Sequence, residues 1–216
     1  GVPVPQGLVP YSRGVHNTRR CPRRIAAPRR RAAAPAPRTM GSVVGRVSEE
    51  TPKFHVVRRA ATYEVRRYAA GVAAESGDAD GRAFGHLARY IGVMAAPQND
   101  RREAIAMTAP VVTSYPTGAM AFLLPSALAT APSPTSDAVS LRSRPETTMA
   151  VAAYVGGWDE ADAARRAAAL REAAAADGLA VGDGWEWRRF NPPWTLPFLK
   201  TNEICVPLVG DGGGGG

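Results

Sequence analysis

The chain has 216 residues, 45% of them apolar, and a formal charge of +8, which suits one domain of ordinary size plus an extension. The charge is lopsided: residues 1–48 hold ten arginines and no acid, while 49–216 hold 17 Lys and Arg against 19 Asp and Glu. That near-neutral part lacks the basic face of a nucleic-acid reader, and no stretch reaches the ~18 apolar residues of a membrane-spanning helix.

Cys21 and Cys205 have no CxxC spacing, which argues against a disulfide scaffold and a structural zinc site. A reduced intracellular compartment is the simplest reading. Residues 1–47, with Arg29-Arg-Arg31 and Pro35-Ala-Pro37, lack apolar periodicity and are expected to be a disordered basic extension. Arg-rich and acid-free, they read either as an organelle transit peptide or as sequence upstream of a true start at Met40. The first alternative puts the protein in a plastid or mitochondrion, the second in the cytoplasm.

The body is expected over 48–209, followed by a disordered glycine tail, 210–216. Residues 54–57 and 62–68 read as strands. In the second, Tyr63, Val65 and Arg67 share one face while Glu64, Arg66 and Tyr68 share the other. A strand at 72–75 continues the sheet, and 77–81 is a loop. From Arg82 the period changes: Phe84, Leu87, Ala88 and Ile91 fall on one stripe of a helix over 82–93, which Pro97 stops.

Two short apolar runs, Ile105-Ala-Met107 before Thr-Ala-Pro-Val111 and Met120-Ala-Phe-Leu-Leu-Pro125, look like neighbouring strands, 104–111 and 119–124, each closed by a proline that lacks a ladder N–H. Residues 126–137 are a loop, and 139–141 and 149–155 further strands. Asp159 caps a helix over 159–177 with Asp162 in its first turn, Ala163, Ala167, Leu170 and Ala174 form its narrow stripe, and Gly178 stops it. Strands at 185–190 and 202–208 flank Pro192-Pro193-Trp194.

Strand–helix–strand–strand therefore occurs twice, beginning at 62 and at 149, with Arg66-Arg67-Tyr68 echoed by Arg188-Arg189-Phe190. The fold class that follows is α+β, two main helices over a curved, mostly antiparallel sheet.

Five stretches, in order, also resemble the SOUL haem-binding family: Glu50-Thr-Pro-Lys-Phe54, Tyr63-Glu-Val-Arg-Arg-Tyr68, Phe84-Gly-His-Leu-Ala-Arg-Tyr-Ile91, Ile105-Ala-Met-Thr-Ala-Pro-Val111, and Asn191-Pro-Pro-Trp-Thr-Leu-Pro197 followed by Thr201-Asn-Glu203. The last of these, with Met40-Gly-Ser-Val-Val-Gly45, is most similar to the plant branch. The resemblance implies a distorted β-barrel flanked by two long helices. It also implies a tetrapyrrole ligand, haem b or a related porphyrin, held without covalent attachment. In some animal relatives a proposed axial histidine stands where this chain has Arg67, which cannot normally ligate iron but can pair a propionate.

The titratable residues argue against an enzyme. No H-E-x-x-H, G-x-S-x-G, G-x-G-x-x-G or P-loop occurs, and Cys205 in Ile-Cys-Val has the setting of a core residue. Haem asks for less: an apolar slot, cations for the propionates and optionally an axial ligand. Phe84, Leu87, Ala88, Ile91 and Met94 are candidates for an apolar groove along the first helix, with Trp194 as the facing wall. The alternative for the stripe residues is plain core. His86 lies roughly 160–220° around the helix from that stripe at ~100° per residue, so it is either a solvated histidine or an axial ligand. Arg67 is either a propionate anchor or part of an ion pair. The expectation is a non-enzymatic tetrapyrrole carrier or buffer whose protein partners are unknown. The rivals are a protein- or membrane-interaction module with incidental porphyrin binding, and an enzyme acting on a small hydrophobic ligand.

Overall fold

The computed structural model describes residues 49–77 and 81–210. The expectations placed on the basic extension, on Met40 and on the tail beyond Gly210 fall outside the described residues. Nine strands form one antiparallel sheet in the spatial order β1-β2-β7-β9-β8-β4-β5-β3-β6, curled into a half-barrel, with two helices packed on it. In chain order these are β1 (Phe54–Arg59), β2 (Glu64–Tyr68), β3 (Gly71–Ser76), α1 (Ala83–Ile91), β4 (Val111–Tyr115), β5 (Met120–Leu123), β6 (Ser140–Arg144), β7 (Thr147–Val155), α2 (Glu160–Ala176), β8 (Trp185–Arg189) and β9 (Thr201–Pro207). The α+β expectation holds.

The duplication is real in topology but starts elsewhere. The repeated unit is β3-α1-β4-β5 against β7-α2-β8-β9, and in each the first strand pairs with the last and the last with the third. The two units join through β4 and β8, where Val112 faces Arg188 in register. β2 lies outside the unit, on the flank of β7. The echo between 66–68 and 188–190 therefore relates strands in non-equivalent positions.

α2 begins where Asp159 accepts a hydrogen bond from the Asp162 N–H at 2.9 Å, satisfying one of the donors a helix N-terminus leaves open. Its small residues, Ala163, Ala167 and Ala174, are buried with Leu170 against Tyr63, Val65, Ala150, Ile204 and Val206. Alanines let the helix lie close on the sheet. α1 buries Leu87, Tyr90 and Ile91 against Ala74, Phe122 and Ile105. It closes at Gly92, whose φ of 84° and N–H bonds to Ala88 and Arg89 carbonyls make a left-handed cap. A Cβ there would come within 2.5 Å of Pro97 Cγ, so only glycine fits.

The strand expected over 104–111 is a correction. Ile105 is buried, but its N–H donates to the Ile91 carbonyl at 2.9 Å, so this run straps the end of α1. Thr108 turns its hydroxyl to the Leu123 carbonyl, and Pro110 has no N–H to donate, so the ladder starts at Val111. Here proline opens a strand instead of closing one. Buried Asn99 fixes the strap: its Nδ2 donates to the Tyr90 and Glu103 carbonyls at 3.0 and 2.8 Å, and its Oδ1 accepts the Glu103 N–H at 3.0 Å.

Candidate functional site: a cleft at one end of the half-barrel

Strand alternation sorts the second half of the sheet into two faces. Val65, Ala150, Trp187, Ile204 and Val206 go under α2. Their neighbours Arg66, Tyr68, Met149, Val151, Glu186, Arg188, Glu203 and Cys205 go to the inner face, all buried.

The inner face carries an ion-pair cluster. Arg66 donates to Glu64 at 2.9 Å and to Glu203 at 2.8 Å, and stacks on Phe54 at 4.3 Å. Arg188 donates through Nε and Nη2 to one oxygen of Glu186 at 3.0 and 2.7 Å and lies 4.3 Å over the Tyr68 ring. Arg144 takes the other Glu186 oxygen. Burial works against the Glu186 carboxylate, yet Arg188 and Arg144 outweigh it and hold its pKa below the ordinary value. Burial pushes both the Tyr68 phenol and the Cys205 thiol well up, so each is neutral at pH 7. Cys205 is therefore an inert core thiol.

Next to this cluster the sheet opens. The leader 50–53, the β2–β3 turn, the segment 123–131 and the β6–β7 turn surround a cleft of about 550 Å³. Pro52, Val72, Leu123, Leu124, Leu128 and Leu141 supply apolar wall, and Tyr68, Met149 and Arg188 reach it from the inner face. Among the described residues Lys53 and Arg144 are its other cations. The wall after β5 is held by a hydrogen bond from the Ser126 N–H to Glu50 Oε1 at 3.0 Å.

The residues expected to bind are distributed differently. Leu87, Ala88 and Ile91 are 0, 1 and 2% exposed. They are core between α1 and the sheet, so the expected groove along that stripe is corrected: the helix is seated flush on Ala74 and Phe122. Phe84 sits at the margin, half-exposed, edge-on to Phe122 at 5.4 Å, and Met94 is exposed beyond the helix. His86 is half-buried on α1. Arg67 is exposed on the outer side of β2, 3.9 Å from Glu146. Trp194, in the β8–β9 connection, is 83% exposed. None of these eight residues lines the cleft. Among the described residues no group of three or more His, Cys, Asp or Glu side chains is placed to hold a metal ion.

Sequence reasoning missed Arg188, Met149, Arg144, Lys53 and the leucines. Tyr68 and Lys53 stood in motifs already singled out, and period-two alternation put Tyr68 on the face of Arg66. Leu123 and Leu124 stood in a run read as a strand, whereas Leu128 and Arg144 carried no periodic signal.

Fold and site define a duplicated antiparallel α+β half-barrel with a ligand-sized cleft at one end. Residues 49–207 match the family model described as SOUL heme-binding protein, and the chain belongs to that family. A comparison with curated proteins gives no match. Among solved structures the chain is similar to a hydrolase from Listeria innocua (12% identity, 70% of this chain and 94% of that one, TM-score 0.46). It is also similar to the EcmrR C-terminal domain (14% identity, 68% and 97%, TM-score 0.46). At such identities and scores these likenesses carry no functional argument. No helix among the described residues is long and apolar enough to cross a membrane.

Proposed function

We propose that the protein binds haem b or a related porphyrin non-covalently in the cleft and acts as its carrier or buffer, without catalysing a reaction on it. The observation that carries this reading is the cleft itself. Its volume of about 550 Å³ lies within the ~300–1,000 Å³ of small-molecule and cofactor sites, and like them it combines apolar wall with a few polar groups. Membership of a family named for haem binding supplies the ligand class.

The residues present suit a porphyrin held mainly by its faces. Of the side-chain types that commonly ligate haem iron (His, Cys, Met and Tyr), Tyr68 and Met149 alone among the described residues line the cleft. Tyr68 is a neutral phenol under Arg188, and Met149 Sδ accepts a hydrogen bond from Arg188 Nη2 at 3.2 Å. Burial of ring surface then dominates affinity, and haem and metal-free porphyrin bind with similar strength.

Titrating the full chain with haemin and with protoporphyrin IX, followed by the Soret band and tryptophan quenching, tests the reading. A saturable response in both is expected. Gly71 lines the cleft and a Cβ there meets nothing within 4 Å, so Gly71→Phe is a substitution the backbone position admits. It is expected to weaken binding at least tenfold at unchanged stability. Binding untouched by Gly71→Phe but lost in His86→Ala or Trp194→Ala would move the seat to the flank of α1.

A second reading has its own observation. Trp194, Leu196 and Phe198 are 83, 54 and 67% exposed in one connection, an apolar surface of the kind that docks on a partner or a membrane surface. Co-sedimentation with anionic and neutral vesicles, for the native chain and for Trp194→Ala, separates that reading from the first.

A further inference from the structure

Arg188 is 2% exposed, lines the cleft and has its Nη1 without a hydrogen-bond partner. An orphaned guanidinium nitrogen is an unusual thing to bury, because unmet hydrogen-bonding capacity on a charged group is costly. Its neighbours explain why the protein leaves it open. Nε and Nη2 are both spent on Glu186, and Glu186 is shared with Arg144. Two guanidinium groups thus divide one carboxylate. Glu203, across the ladder from Arg188, is bonded to Arg66, which shares Glu64 with Arg59, so two arginines there meet two carboxylates. Those charges are therefore matched without Arg188. Tyr68 and Cys205, both neutral at pH 7, complete the surroundings. The hydrogen-bonded pairs leave one positive charge at the bottom of the cleft short of a carboxylate.

We propose that the cleft selects tetrapyrroles carrying a free carboxylate arm, one arm descending to Arg188, and that it discriminates against rings whose acid arms are esterified. The inference rests on the cleft as porphyrin seat and deepens it by naming the ligand class. A carboxylate on the open Nη1 forms a charge-assisted hydrogen bond, and Glu186 already holds the guanidinium in place, so little rotamer freedom is lost on binding. An ester presents no charge to an arginine that stays protonated at any relevant pH. The second carboxylate of a diacid ring reaches the mouth, where exposed Lys53 contributes little because exposed ion pairs are weak.

The test compares deuteroporphyrin IX with its dimethyl ester in fluorescence titrations of the full chain at submicromolar concentration. The diacid is expected to bind at least tenfold more tightly, the scale of one hydrogen bond to a charged group. In Arg188→Met, which keeps length and removes charge, diacid affinity falls to that of the diester and the diester value does not move. Lys53→Met changes the diacid by no more than about twofold. Equal affinity of diacid and diester for the native chain overturns the proposal and leaves the cleft as a seat. So does an Arg188→Met variant that weakens both equally, or a diacid preference lost in Lys53→Met. Binding of neither ring removes the seat and the proposal together. The native-chain comparison uses no variant, so the proposal remains exposed to refutation even if Arg188→Met does not fold.

Discussion

Arg188 and Arg189 are adjacent in β8 and belong to opposite worlds. Arg189 points to the outer face, with Nη2 donating to Thr113 at 2.6 Å and its guanidinium 5.1–5.3 Å from the rings of Trp187 and Trp158. Burial there lowers its pKa against only partial help from Tyr115, Tyr154 and Glu160. Arg188 points inward, where burial also opposes its charge, but the carboxylates of Glu186 and Glu203 favour it and its pKa is raised. One face of the sheet is closed by helices and apolar or aromatic packing. The other is held by ion pairs and left open at one end. The difference teaches that the face under α2 serves stability alone while the ion-paired face serves both stability and the cleft, so substitutions under the helices should change the first property without the second.

The largest effect is expected on the inner face. Glu186→Ala strips the carboxylate that two arginines share and should cost about 3–5 kcal/mol in denaturant unfolding, the scale for breaking a buried ion pair from one side. Because the fold holds this carboxyl below its ordinary value of 4.5, its ionised form stabilises the protein above about pH 4.5, and that contribution is lost as pH falls through the folded pKa. Glu186→Gln should flatten the acid limb of the stability profile. An unchanged acid limb would mean that the inner cluster contributes nothing to stability.

Next comes Leu87→Ala, at a site 0% exposed, with an expected loss of about 2–5 kcal/mol. Porphyrin affinity measured below the unfolding transition should match the native chain. A selective loss of affinity would make α1 part of a ligand wall after all. Ala174→Leu forces three extra carbons between α2 and the sheet and should cost about 1–3 kcal/mol, again without touching affinity. Asp159→Ala removes only the cap and should cost about 1 kcal/mol, visible as a small shift in unfolding midpoint. Smallest is Trp194→Ala, whose ring is 83% exposed. Its unfolding free energy should stay within about 0.5 kcal/mol of native.

How far these assignments could be read from residue order depends on the kind of signal each left. Periodicity located α1 and α2 to within a residue or two, and the Asp159 cap and the alanine stripe behaved as their chemistry demands. The same periodicity said that Leu87, Ala88 and Ile91 are apolar and share a face. It could not say whether that face meets a sheet or a ligand, because both environments reward the same side chains. Ile105-Ala-Met107 was legible as buried but not as a strap, since its partner is a helix-terminal carbonyl remote in pattern though near in sequence. The cleft was the least legible part. Its wall combines strand residues Val72, Leu123 and Leu141 with Leu124 and Leu128 beyond β5, which no single period links. Its most telling atom, Arg188 Nη1, is distinguished only by what it does not touch, which emerges when β8, β9 and the β6–β7 turn are assembled. Five ordered motifs nevertheless pointed to the family that residues 49–207 match.

The central claim is that the ring occupies the cleft lined by Tyr68, Met149 and Arg188. Zinc protoporphyrin is diamagnetic and its ring current shifts the methyl resonances of whatever it lies against, so a methyl-resolved NMR titration of the full chain reads the seat directly. The account predicts the largest shifts at Val72, Leu124, Leu128, Leu141 and Met149, with Leu87, Ile91 and Ile204 nearly still. Shifts concentrated on Met94, Leu87 and Ile91, with the methyls of the cleft unmoved, would contradict it.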